Sequence, residues 1–210
     1  MRKLILSSIF ILITTCNLFA EEYNSFFSKY NFNFITEEAG LPHNYIDDIY
    51  KDSKGYIWVA THNGIGRYNG YQFIDYNTQT PSLRLKSNFV HKICEDNNQR
   101  LWIGTEEGIN IINLNNYQEQ TILSRLYPEI STIFHSNIET IYKDKESNLW
   151  ISAGKDLWCL KLNSQGDIQD YWHLKHEGQS PIHAIIDLKW CICVGIDNQI
   201  YQIKRSSHHQ

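Results

Sequence analysis

Residues 46–68 read IDDIYKDSKGYIWVATHNGIGRY, residues 90–112 read VHKICEDNNQRLWIGTEEGINII, and residues 138–160 read IETIYKDKESNLWISAGKDLWCL. Aligned, they place Asp52, Asp96 and Asp144 in one column and Trp58, Trp102 and Trp150 in a second. Both columns recur after 44 and then 48 residues, a period that marks an array of supersecondary units. Gly64 and Gly108 share a third column, where the last copy carries Asp156.

Each copy has the same local logic. Ile46 to Tyr50 alternates apolar with polar side chains and reads as a strand. Asp52-Ser53-Lys54-Gly55 supplies turn chemistry, an Asx side chain to cap the bend and a glycine for positive φ. Ile57 to Thr61 is nearly continuously apolar, as expected of a strand covered on both faces by neighbouring units. His62-Asn63-Gly64 turns the chain into a third strand, Ile65 to Tyr68, and Asn69-Gly70 is a strong hairpin signal leading to a fourth, Tyr71 to Tyr76. Four short antiparallel strands per period of about 45 residues describe a propeller blade. The expected fold is therefore all-β, a β-propeller of about three full blades and a partial fourth. The blades are expected at 45–76, 89–125, 137–174 and 182–204 within a repeat region of 30–205. Trp58, Trp102 and Trp150 are expected to wedge between blades, a packing role.

Outside the repeats, Arg2 and Lys3 precede ten apolar residues from Leu4 to Ile13, and Ala20 stands at a small-residue cleavage position. That is the layout of a signal peptide over 1–20, followed by a lead at 21–29, and it predicts a periplasmic mature chain. Lipid attachment at Cys16 is the alternative. Tyr30 to Ile35 also alternates and is expected to form a lone strand that could complete the fourth blade; 206–210 is a tail. The four blades then either close as a small ring or belong to a larger one. In the second case the exposed blade faces predict self-association.

Composition excludes several classes of function. Net charge is −4 with both signs scattered, so no basic stripe points to nucleic acid. Cys94, Cys159, Cys191 and Cys193 show no CxxC and no zinc-like spacing with histidine, and read as small buried hydrophobes. No metal site or cofactor is expected. Asp47 and Asp48 should point to opposite faces of a strand, and Glu106-Glu107 falls in a turn, so neither is an acid/base pair. HExxH and GxSxG motifs are both absent, and no enzymatic activity is expected.

The pattern I–x–D–x2–G–x–hydrophobic–W–hydrophobic–[GA]–T–x2–G–hydrophobic resembles the two-component regulator propeller repeat. Gly40-Leu41-Pro42-His43-Asn44 is similar to the lead-in that precedes its blades. The resemblance implies the periplasmic sensor region of a hybrid two-component system, a receptor type of glycan-degrading Bacteroidetes, and oligosaccharides as the ligand class. Members continue into a membrane span, a histidine kinase and a DNA-binding regulator. None of these is recognisable in the 210 residues, so a sensor segment without kinase chemistry is expected. A structural or interaction module with no ligand of its own is the alternative.

In such blades the turns between second and third strands share one face with the connectors between blades. That face gathers His62, Asn63, Glu106, Glu107 and Lys155 as candidate ligand residues. His43, Asn44, Ser87, Asn88, Ser136 and Asn137 join them from the connectors.

Overall fold

The computed structural model describes residues 30–120, 128–178, 180–188 and 190–204. The signal peptide, the lead at 21–29, the last residues of the second blade expected at 89–125 and the tail lie outside the described residues. The described residues fall into two units, divided between Ile35 and Thr36. In the first, residues 30–35 carry no regular secondary structure, so the strand expected at Tyr30 to Ile35 does not form. Period-two alternation supplies a face, but a strand exists only when another backbone satisfies its N–H and C=O groups.

The second unit contains four antiparallel sheets, each built from strands consecutive in sequence. Blade 1 holds β1 (Ile46–Lys51), β2 (Ile57–Thr61), β3 (Gly64–Tyr68) and β4 (Phe73–Tyr76). Blade 2 holds β5 (Val90–Glu95), β6 (Arg100–Thr105), β7 (Gly108–Asn113) and a two-residue β8 (Gln118–Glu119). Blade 3 holds β9 (Ile138–Lys143), β10 (Leu149–Ala153), β11 (Asp156–Leu162) and β12 (Ile168–Leu174). Blade 4 stops at three strands, β13 (Ile182–Asp187), β14 (Cys191–Ile196) and β15 (Gln199–Lys204). The Asn69-Gly70 hairpin takes in Tyr71 and Gln72 as well, so β4 begins two residues later than the alternation suggested.

Three apolar clusters glue the blades in sequence, and each is centred on a tryptophan. Trp58 packs with Val90, Ile93 and Leu101 of blade 2, Trp102 with Ile138, Ile141 and Leu149 of blade 3, and Trp150 with Ile182 and Ile192 of blade 4. The expected wedge role is what the structure has. The aspartate column does more than cap a turn. In blade 1, Asp52 Oδ1 accepts the N–H groups of Lys54 (3.0 Å) and Tyr56 (2.9 Å), while Oδ2 accepts the Trp58 indole N–H at 2.8 Å. Asp96 holds Trp102 at 2.8 Å and Asp144 holds Trp150 at 2.9 Å in the same way. One buried carboxylate therefore closes the turn and fixes the ring that fills the next interface.

The turn's glycine position is left-handed in every copy. Gly55 has φ 92°, and the matching Gln99 and Ser147 take 56° and 70° without being glycine. Gly108, at φ 126°, could not carry a side chain, since a Cβ there would lie 2.1 Å from the Phe134 carbonyl oxygen.

A second column ties each blade to its predecessor through the last residue of its first strand. Glu95 accepts the Ser53 N–H at 2.7 Å, Lys143 donates to Asn97 Oδ1 at 3.2 Å, and Asp187 accepts the Lys145 N–H at 3.0 Å.

Cys94, Cys159, Cys191 and Cys193 are all free thiols, three of them buried. Burial pushes the Cys94 thiol up to about 11, so almost none of it is thiolate near neutrality. Iodoacetamide at pH 8 is expected to leave Cys94 unmodified in the folded chain and to alkylate it once denaturant is added. Peptide mass mapping after both treatments checks this, and rapid native labelling would contradict the packing described.

Candidate functional site

Backbone hydrogen bonds draw the second-to-third-strand turns onto the connectors. The His62 N–H donates to the Tyr45 carbonyl (3.3 Å), Gly64 to Asn88 (2.7 Å), Glu106 to Phe89 (3.0 Å) and Gly154 to Asn137 (2.7 Å). The candidate residues thus occupy turns that share a face with the connectors, but they fall into three separate settings.

The first is a ring cluster at the junction of blades 1 and 2. His62 stacks on Tyr45 at 4.0 Å between ring centroids, with His43 at 6.2 Å and Phe89 at 5.3 Å. Its Nε2 lies 3.3 Å from Asp47 Oδ2, and His91 Nδ1 approaches the same oxygen at 3.1 Å. Asp48 is engaged elsewhere, by Lys92 Nζ and the Ile93 N–H, both at 3.0 Å, so the adjacent carboxylates do not act together. Asn63 donates to the Pro42 carbonyl at 3.3 Å and accepts from Asn88 at 3.5 Å, an arrangement that staples turn to connector. The second setting is the blade 2 turn, where Glu106 and Glu107 are simply exposed.

The third is a groove of about 680 Å³ on blade 3, and of the five candidate residues it takes in Lys155 alone. One wall is the 3-10 segment Pro128–Phe134 with Ser136, contributing Glu129 and Thr132; the other is β11, β12 and the residues after them. Ile130 and Ile133 anchor the 3-10 segment in the Trp102 cluster, which turns its polar residues outward.

At the centre of the second wall His173 lies flat on Trp158, 3.8 Å between centroids and 8° between planes. These two residues are direct cross-strand partners of β11 and β12, the geometry that brings side chains of one sheet face together. Asp156 Oδ2 lies 3.0 Å from His173 Nε2, and its Oδ1 accepts the His176 N–H at 3.1 Å. Lys175 completes a lining that holds donors and acceptors of both charges around a flat aromatic surface.

Sequence reasoning missed Asp156, Trp158, His173 and His176. The signal was present as the one break in the third repeat column, where Asp156 stands in place of Gly64 and Gly108. In blade 3 the left-handed residue of that turn is Gly154, at φ 62°, which frees the column for a side chain. Among the described residues no group of three His, Cys, Asp or Glu is arranged to hold a metal ion.

Consecutive antiparallel sheets joined face to face by an Asp-anchored tryptophan define a β-propeller repeat protein. The model of the family described as "Two component regulator propeller" matches residues 40–63 and 84–107, so the chain carries two repeats of that kind. No curated protein matches it by sequence.

Solved structures share the fold at low identity. The extracellular domain of hybrid two-component system BT3049 from B. thetaiotaomicron is 17% identical with a TM-score of 0.55, over 84% of this chain and 31% of that one. PorZ, a surface component of the type-IX secretion system of Porphyromonas gingivalis, is 13% identical at 0.53, over 81% and 22%. The WD40 propeller domain of Doa1 is 11% identical at 0.57, over 79% and 53%. The chain thus spans less than a third of the Bacteroides domain it matches.

Proposed function

We propose that this chain is the ligand-sensing propeller part of an extracytoplasmic signalling receptor, and that its ligand is an oligosaccharide held in the blade 3 groove. The observation that carries this reading is the groove's composition: about 680 Å³ lined by Glu129, Asp156, Lys155 and Lys175 around the His173–Trp158 stack. A pyranose presents hydroxyls that both donate and accept, together with flat patches of C–H. It is matched by convergent polar groups of both kinds beside an aromatic plane. The regulator-propeller repeats and the signal-peptide layout of residues 1–20 support a sensing role outside the cytoplasm. The Bacteroides neighbour is described as the extracellular domain of a hybrid two-component system, a setting that agrees with this reading. In this role the chain binds and transmits, and any phosphoryl chemistry belongs to a kinase.

Isothermal titration of the full chain against a panel of plant and host oligosaccharides tests the proposal. One structural class is expected to bind. His173→Ala and Lys155→Ala should each weaken it tenfold or more, while Glu106→Ala on the blade 2 turn leaves it unchanged. A panel with no binder, or a binder indifferent to His173→Ala, would remove the groove as the sensing site.

A further inference from the structure

The first strands of blades 1 to 3 stand side by side, β1 against β5 and β5 against β9. A hollow of about 280 Å³ opens along them, lined by residues of these three strands and by none of the blade 3 groove. The repeat explains why it is there. One column carries Tyr50 in blade 1 and Tyr142 in blade 3, but Cys94 in blade 2, so a small side chain stands where its neighbours have a phenol. Ile93, Cys94 and Ile141 are buried and form an apolar floor, while Tyr50, Lys92, Tyr142 and Lys143 are half-buried around it. The Cys94 thiol, pushed up to about 11 by burial, keeps that floor uncharged.

The charges at the rim do not balance. Asp48 spends one oxygen on Lys92 Nζ and the other on the Ile93 N–H, both at 3.0 Å, so that pair is neutral as it stands. Lys143, among the described residues, reaches only the neutral amide oxygen of Asn97, at 3.2 Å. Glu95, which lines an adjoining hollow with Lys143, gives both of its oxygens to Ser53. One half-buried ammonium beside an apolar floor is thus left without a counter-charge, a costly state that an anion relieves. Burial also pushes the Tyr50 hydroxyl up, so it keeps a proton to donate.

We infer that this hollow is a second binding site, and that it takes a small organic acid. The carboxylate meets Lys143, and a compact apolar body lies over Cys94 beside Tyr50 and Tyr142. Size sets the limit on the body. Sites for drug-sized ligands run from about 300 to 1,000 Å³, and benzene fills a cavity of about 150 Å³, so the hollow suits one short chain or one ring. The charge-assisted bond fixes orientation and the floor supplies apolar contact, which an inorganic oxyanion could not use.

Isothermal titration of the full chain with butyrate, hexanoate and benzoate, each beside its neutral amide, and with inorganic phosphate tests this. At least one acid is expected to bind saturably, with its amide and phosphate tenfold weaker or more. Lys143→Gln should lose at least tenfold of that affinity, and Lys143→Arg should keep most of it. Cys94→Tyr restores the residue of the neighbouring blades, so it should fill the hollow and abolish binding. Lys155→Ala, on the blade 3 groove, should leave binding unchanged, and near-UV circular dichroism should show each variant folded. No saturable binding by any of the three acids, an amide or phosphate that binds as well as the acid, or a bound acid indifferent to Lys143→Gln would each overturn the inference.

Discussion

Asp96→Ala is expected to destabilise the chain by about 3–5 kcal/mol, the range for removing one partner of a buried ion pair. Asp96 accepts the Asn98 N–H at 2.8 Å, the Arg100 N–H at 3.1 Å, Arg100 Nε at 2.7 Å and the Trp102 indole at 2.8 Å. The Asp96 and Arg100 side chains are 1% and 4% exposed, so the alanine variant strands a guanidinium out of reach of water. Folded domains hold only about 5–15 kcal/mol in total, and a loss of this size moves the whole unfolding curve.

The repeat makes the same expectation testable a second time. Asp144 accepts the Glu146 and Asn148 N–H groups at 2.9 Å, the Asn148 Nδ2 amide at 3.0 Å and the Trp150 indole at 2.9 Å. Asp144→Ala should therefore also destabilise the chain, by at least about 1–3 kcal/mol for buried groups left without a hydrogen-bond partner. Urea unfolding of both variants checks this. A loss well below that range in either would mean that the turn and the indole do not depend on the carboxylate.

Trp102→Ala is expected to cost about 3–5 kcal/mol through the cavity it opens. The ring is fully buried and shares a cluster with Ile109 and Ile111 of its own blade and Ile138, Ile141 and Ile151 of the next. Two sheets meet there, and neither can collapse onto the vacancy without breaking its own ladder. The melting temperature should fall by roughly 6–20 °C, at about 2–4 °C per kcal/mol for a domain of this size. Trp102→Phe keeps most of the volume and loses the bond to Asp96, so its loss should be the smaller of the two. A differential scan in which Trp102→Ala melts within a degree or two of wild type would refute the wedge role. The two sites share a hydrogen bond, so the Asp96→Ala/Trp102→Ala double variant should cost less than the sum of its singles.

Much of this architecture could be read from residues alone because the repeat states it several times. The Asp and Trp columns keep a spacing of six residues in all three copies, and that constancy reflects the carboxylate–indole bond. Turn chemistry was equally legible at Asp52 to Gly55, where the side chain caps the bend and the glycine takes positive φ. Alternation misled at Tyr30 to Ile35, since a pattern of exposed aromatics carries the capacity for a strand but not the edge it must pair with.

The turns and connectors that carry the candidate residues do meet through backbone hydrogen bonds, yet those residues were treated as one site. Their separation follows from differences between copies. His62 is absorbed by Tyr45 and Asp47, Asn63 by Pro42 and Asn88, and Lys155 borders the blade 3 groove.

By itself, then, the sequence determined the blade, its strand order, its turns and the residues that join one blade to the next. These depend on neighbours within a few residues and on a pattern repeated at fixed period. Only the tertiary structure decided that a 3-10 segment would lie across β11 and β12 to make a groove, and that His173 would settle on Trp158. Those outcomes depend on strand register and on which surfaces meet across tens of residues, and such long-range pairings leave no local periodicity to read.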